Sequence, residues 1–144
     1  MKIKHASILV ARIALFIIYF WFGILKVIGQ SPASDMVHHL LSMTMPFIPF
    51  GLFIVLFGLF EMLIGILFIV PGFERWAIIF FFLHMITTTL PLFLMSEVWS
   101  HMLVPTLEGQ YIVKNLALLS CVLTIWASLP EKLWPNMPNL IKTQ

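Results

Sequence analysis

Charge is the scarcest property of this chain. Only 10% of its 144 residues are Asp, Glu, Lys or Arg, against about 25% in an ordinary soluble domain. With 61% hydrophobic residues and a mean hydropathy of +1.05, a water-soluble globule and a disordered chain are both excluded. The net charge of +2 is too small to present a polyanion-binding surface, which excludes nucleic acid as a partner. Cysteine is almost absent: Cys121 stands alone, so the chain can build neither an internal disulfide nor a CxxC pair. The class that remains is an integral membrane protein.

What the chain has in abundance is long apolar runs. A spanning helix needs roughly 20 such residues, because the hydrocarbon layer is about 30 Å thick and each residue rises about 1.5 Å. Four stretches qualify: Ile8 to Ile28, Gly51 to Val70, Trp76 to Leu94 and Tyr111 to Leu129. Turn residues separate them at Gly29-Gln30-Ser31-Pro32, Pro71-Gly72-Phe73-Glu74-Arg75 and Pro105-Thr106-Leu107-Glu108-Gly109. The runs lack the period-2 alternation of barrel strands. The expected fold is therefore all-α, a single polytopic bundle of four transmembrane helices. The first loop predicts one further short helix through Met43, capped by Ser34 or Asp35 and lying at the interface.

Lys and Arg outside the spans set the orientation. Lys2, Lys4, Arg75, Lys132 and Lys142 fall on one side, while the first and third loops hold Asp35, Glu97 and Glu108. Both termini are expected to be cytoplasmic. The first span is too long for a signal peptide and contains Arg12 and Lys26, so it reads as retained. Trp99, Trp126 and Trp134 sit near span ends, as an interfacial belt requires. The adjacent His38 and His39 would point about 100° apart on a helix, a poor chelating pair, and no metal site is expected.

The few polar residues inside the spans each require an account, since an unpaired charge in lipid costs several kcal/mol. Arg12, Tyr19, Gly23 and Lys26 fall within roughly 60° of one another on the first helix, a single polar stripe. The second span carries Glu61, and the third His84, followed by Thr87, Thr88 and Pro91. The fourth carries Lys114 and Asn115, with Cys121, Thr124 and Ser128 continuing near the Lys114 side. With a polar residue on every helix, the bundle is expected to have a polar interior. Glu61 is near mid-span, with Arg12 and His84 as its expected partners. Lys26 and Lys114 lie near the outer ends, where snorkelling favours anchoring over a ligand role. Taken alone, His84 reads as a satisfied buried histidine, and the Glu61 pairing as either architecture or a site. Pro91 predicts a bend patched by the threonine hydroxyls. Gly51, Gly58, Gly65 and Gly72 recur every seventh residue and predict one packing seam.

Three motifs carry a family likeness. Arg12 is followed by FWFGILK at residues 20–26, the second span reads GLFEMLIGILFIVPG at 58–72, and the fourth opens with EGQYIVKN at 108–115. In this order, across four spans, the chain resembles the DoxX-like superfamily of small four-helix membrane proteins. The matching positions are Arg12, Gly23, Lys26, Glu61, Gly65, Gly109, Lys114 and Asn115. The resemblance implies a redox- or oxidative-stress-associated accessory subunit of the bacterial inner membrane. The polar cluster of Glu61, His84, Arg12, Lys26, Lys114 and Asn115 would then bind a quinone or similar lipid-soluble ligand. There is no CxxC and no second mid-membrane histidine for a bis-His haem, so electrons would have to come through a partner. The alternatives are an assembly or scaffold factor recognising a partner's helix, and a small transporter subunit acting as a homo-oligomer.

Overall fold

The structure, a computed structural model, describes residues 2–130, with side chains from His5 onward. Lys132, Trp134 and Lys142, which entered the orientation and belt arguments, lie outside the described residues, as do the side chains of Lys2 and Lys4. The order is α1 (Lys2–Val27), α2 (Ser34–Thr44), α3 (Phe50–Ile69), α4 (Glu74–Thr89), α5 (Pro91–Leu94), a 3-10 turn (Ser96–Val98), β1 (Trp99–His101), β2 (Val104–Pro105) and α6 (Leu107–Ser128). Among the described residues, four segments are long and apolar enough to cross a membrane: His5–Val27, Phe50–Ile69, Glu74–Leu94 and Leu107–Ser128. They form an up-and-down ring in which α1 meets α3, α3 meets α4, α4 meets α6, and α6 returns to α1.

Its exterior is apolar, with Ile17, Trp21, Leu56, Leu63, Ile86 and Leu116 all exposed. In water such a surface would aggregate; in a bilayer it is the lipid contact. The protein is a membrane helix bundle. Its core lies towards the end of the bundle where α1 begins, where Leu15, Ile64, Phe68, Ile78, Phe81, Val122 and Ile125 are essentially solvent-free. A smaller cluster of Met95, Val98 and Ile112 closes the opposite end, with Met36 and Leu40 of α2 packed against it.

Backbone chemistry explains the element ends. Gly29 takes φ +72° just past α1, and the Gln30 N–H bonds back to Leu25 O at 2.8 Å, ending the helix. Gly72 takes φ +88° in the α3–α4 turn. α2 forms where expected, but its N-cap is Ala33 and neither Ser34 nor Asp35 caps it. The Ser34 hydroxyl instead donates to Ser31 O at 2.8 Å. At Pro91 the third span breaks into α4 and α5. The hydroxyls of Thr87 and Thr89 donate to His84 O and Met85 O at 2.7 and 2.6 Å, holding the backbone before the break. A two-stranded antiparallel hairpin in the third loop, β1 with β2, was not expected.

The glycine seam is shorter than its period implies. A Cβ on Gly58 would lie 2.6 Å from Gly23 O, and one on Gly23 would lie 2.6 Å from Gly58 O. A Cβ on Gly65 would lie 3.1–3.2 Å from the backbone of Phe20 and Phe16. A Cβ added at Gly51 or Gly72 would meet nothing within 4 Å. Close backbone approach thus involves Gly23, Gly58 and Gly65, and it makes α1–α3 the tightest pair in the bundle.

Candidate functional site

The glycine contact positions the chemistry. α1 ends level with Gly58, which lies eight residues after Phe50, about 12 Å along α3 at 1.5 Å per residue. A methyl group on Gly58 would come within 2.9 Å of Lys26 Cβ. The lysine stem therefore passes over Gly58 and delivers its ammonium to Glu61, one turn further along α3. Lys26 Nζ donates to Glu61 Oε2 at 2.6 Å. Lys26 is only 7% exposed, so it is buried and paired rather than an interface anchor.

The other carboxylate oxygen belongs to α4. His84 Nε2 lies 2.8 Å from Glu61 Oε1, and His84 Nδ1 lies 3.2 Å from the Tyr19 hydroxyl. Tyr19, Glu61 and His84 are 4%, 4% and 6% exposed. Hydrogen-bond logic assigns the protons: Nε2–H donates to the carboxylate, leaving Nδ1 to accept the phenol O–H. With Lys26 charged, Glu61 ionised and the imidazole neutral, the cluster carries no net charge, the state that a low dielectric favours. The result is a continuous hydrogen-bonded chain Tyr19–His84–Glu61–Lys26 across three helices.

Aromatic rings wall it in. Phe57 stacks on the His84 ring at 5.1 Å with 19° between planes, and Tyr19 meets that ring edge-on at 5.2 Å. Lys26 Nζ lies 5.7 Å from the Phe57 centroid, adding a cation–π contact. Below Tyr19, towards the start of α1, the apolar layer of Leu15, Ile64, Phe68 and Phe81 separates the chain from that end of the bundle.

Arg12 belongs elsewhere. Its Nη1 donates to Glu74 Oε1 at 2.8 Å, Nε to Phe68 O at 2.6 Å and Nη2 to Ile69 O at 3.3 Å. It caps the C-terminal end of α3, where unsatisfied carbonyls and the helix dipole favour a cation. Glu74 also accepts from the Gly72 N–H at 2.8 Å, tying the α3–α4 turn to Arg12. The expectation that Arg12 pairs with Glu61 is corrected: it lies two turns of α1 before Tyr19, at the other end of the core. Arg12→Leu should lower stability by about 1–3 kcal/mol through lost charge-assisted hydrogen bonds. Arg12→Lys should fall in between, since an ammonium lacks the fork that serves three acceptors. Thermal unfolding in one detergent checks this, and equal midpoints for Arg12→Leu and the parent would discard the capping role.

α6 contributes no polar group to the buried chain. Its buried residues are Gly109, Ile112, Val122 and Ile125, while Lys114, Ser120 and Thr124 are exposed and Asn115 is half-buried. Lys114 Nζ sits 5.0 Å from the Tyr111 ring centroid. Hydroxyls on this outward face are satisfied within the helix: Ser120 donates to Leu116 O at 3.1 Å and Thr124 to Ser120 O at 2.9 Å. The polar interior is thus built by α1, α3 and α4, and Lys114 and Asn115 stand apart from it. Tyr19 and Glu74 are the members not singled out as site residues. Tyr19 was marked by its place on the Arg12–Lys26 stripe, whereas Glu74 was concealed in a turn.

At the α2 end, His38 packs on Phe50 at 4.6 Å, and His39 pairs with Glu97 at 3.0 Å. Among the described residues, no group of three or more His, Cys, Asp or Glu is placed to hold a metal ion. An apolar groove of about 390 Å³ opens between α4, α5 and α6, lined by Phe82, Met85, Ile86, Thr89, Leu90, Phe93 and Leu119. Compared with protein-family models, curated proteins and solved structures, the chain matches none.

Proposed function

We propose that this chain is a redox-associated accessory subunit of DoxX-like type, whose buried chain stores and returns a proton for a quinone or similar lipid-soluble carrier. One observation carries the reading: four titratable side chains, each under a tenth exposed, joined in line by bonds of 2.6, 2.8 and 3.2 Å. Reducing a quinone takes two electrons and two protons. The electrons come through a partner protein, and this chain's residues supply the proton path. The phenol of Tyr19 ends that path, and its single O–H, which donates to His84 Nδ1 here, would turn from the imidazole to engage a carrier's carbonyl. The groove beside α4 suits an isoprenoid or acyl tail, because its walls are apolar and the Thr89 hydroxyl already donates to Met85 O.

The placement of Lys and Arg supports both termini on the cytoplasmic side, and the DoxX-like resemblance points to a bacterial inner membrane. In that orientation the Lys26 end of the chain faces outward and the apolar layer below Tyr19 faces inward. Proton exchange is then one-sided, which speaks against the transporter alternative. The scaffold alternative is favoured by one separate feature, the exposed Lys114, Ser120 and Thr124 on α6, since small and polar faces suit packing against a partner's helix.

Extraction of the native membrane into lipid-polymer discs, with mass spectrometry of bound lipids and proteins, tests the proposal. The expected result is a stoichiometric quinone together with a defined partner. Both should be recovered with the parent, and the quinone alone lost with Glu61→Gln and His84→Ala in folded protein. A defined partner without quinone would transfer the assignment to the scaffold reading, and neither would overturn both.

A further inference from the structure

We infer that Tyr19 is a one-electron donor within the bundle, with His84 and Glu61 receiving its proton as the electron leaves. The inference goes beyond the carrier reading and needs no bound quinone. A phenol that loses an electron becomes a strong acid. In an apolar interior it can be oxidised at accessible cost only where a base already accepts its hydrogen bond. Tyr19 has that base. Its hydroxyl lies 3.2 Å from His84 Nδ1, and the far side of the same ring lies 2.8 Å from Glu61 Oε1. The phenolic proton moves to Nδ1 while the Nε2 proton moves to Glu61, so the imidazole stays neutral. The departing electron leaves one net positive charge on the cluster, that of Lys26 beside a now neutral carboxyl.

A route for the electron is also present. The Tyr19 ring lies 5.8 Å from Phe81, Phe81 lies 5.6 Å from Phe82, and Phe82 lies 6.0 Å from Trp126. The two phenylalanines bridge a readily oxidised phenol in the core to a readily oxidised indole on α6 that is only half-buried. The oxidant suited to this setting is a lipid-borne peroxyl radical, since the route ends at the half-buried Trp126 on a bundle whose exterior is apolar. The peroxyl radical takes one electron from Trp126 and one proton from the membrane surface, becoming a hydroperoxide. Tyr19 refills Trp126 and becomes a neutral phenoxyl radical, its proton held on the His84–Glu61 pair. One electron and one proton enter the hydroperoxide, and one of each leaves the protein when the held proton is released.

The chain carries its own control. It has two tyrosines, and Tyr111 is exposed on α6 with an ammonium over its face instead of an imidazole at its hydroxyl. The test uses the full chain in lipid nanodiscs, peroxyl radicals from a lipid-soluble azo initiator, and freeze-quench electron paramagnetic resonance. A tyrosyl signal is expected in the parent and in Tyr111→Phe, and none in Tyr19→Phe, which retains the ring packing. His84→Phe should slow formation of the signal by about a hundredfold, the low end for loss of a positioned base. Trp126→Phe should also slow it, and deuterated water should slow it in the parent. A tyrosyl signal that survives Tyr19→Phe would overturn the inference. So would a parent rate that is the same in light and deuterated water, a result that stands even if His84→Phe does not fold. Quinone recovery in the extraction experiment is independent of each of these outcomes.

Discussion

Glu61→Leu is expected to be the most damaging exchange of a single polar side chain in this protein, with a loss of about 3–5 kcal/mol. The carboxylate holds two donors at once, Lys26 Nζ at 2.6 Å and His84 Nε2 at 2.8 Å. Its removal strands an ammonium that is 7% exposed and an imidazole N–H that is 6% exposed. In a bilayer the separated helices also find partial partners for these groups, so the value belongs at the lower end of that range. Glu61→Gln should lose less, because the amide oxygen still accepts one of the two donors. Unfolding by denaturing detergent, titrated against a mild one, gives the order: parent, then Glu61→Gln, then Glu61→Leu. A Glu61→Leu protein as stable as the parent would sink the argument that this carboxylate holds three helices together.

The same site separates architecture from chemistry. A buried ion pair contributes little net stability, yet breaking it from one side is costly. Because Glu61 has two partners, repair requires both to become apolar. Glu61→Leu with Lys26→Met should restore part of the stability, and adding His84→Leu should restore more. Carrier binding should return in neither, if the chain handles protons. A triple variant that regained both stability and full binding would leave an architectural knot and remove the site.

Much of this is legible in the sequence alone. Four apolar runs bounded by Gly and Pro define the spans, because lipid thickness leaves no shorter solution. The depth of Glu61 within its own run was enough to require a buried partner, and His84 was among those expected. The offset between helices was not legible. Lys26 looks peripheral when depth is counted along α1, and becomes central only because the Gly23–Gly58 contact sets α1 level with the middle of α3. Arg12 failed as a partner of Glu61 for the same reason. Its own partner, Glu74, sits beside Pro71-Gly72 and reads as a solvated turn until the turn folds under the end of α3. On α6, periodicity reveals a polar face but not its direction. Hydroxyls that bond their own helix's carbonyls can face outward from the bundle at little cost, and there they do.

Gly58→Val should separate α1 from α3 and dismantle the chain without replacing any of its members. A Cβ at Gly58 would stand 2.6 Å from Gly23 O and 2.9 Å from Lys26 Cβ. The first neighbour is backbone and cannot rotate away, so the helices must move apart. Overpacking of this kind costs about 1–3 kcal/mol even where side chains can yield. Here the shift also pulls Lys26 from Glu61, so the loss should approach that of Glu61→Leu. Gly58→Ala should already be harmful, and Gly23→Ala equally so, since the two contacts are reciprocal. Two glycines of the same sevenfold series discriminate this from a loss of chain flexibility. A Cβ at Gly51 would meet nothing within 4 Å, and the residue lies in the first turn of α3, so Gly51→Ala should be neutral or slightly stabilising through helix propensity. Gly72 is equally open but sits at φ +88°, so Gly72→Ala should destabilise through backbone strain alone, by a smaller amount than Gly58→Val. The midpoints of thermal unfolding should therefore rank Gly51→Ala at or above the parent, then Gly72→Ala, then Gly58→Val. If Gly51→Ala and Gly58→Ala proved equally destabilising, the seam would be a matter of helix flexibility, and close backbone contact would no longer explain why Lys26 is buried.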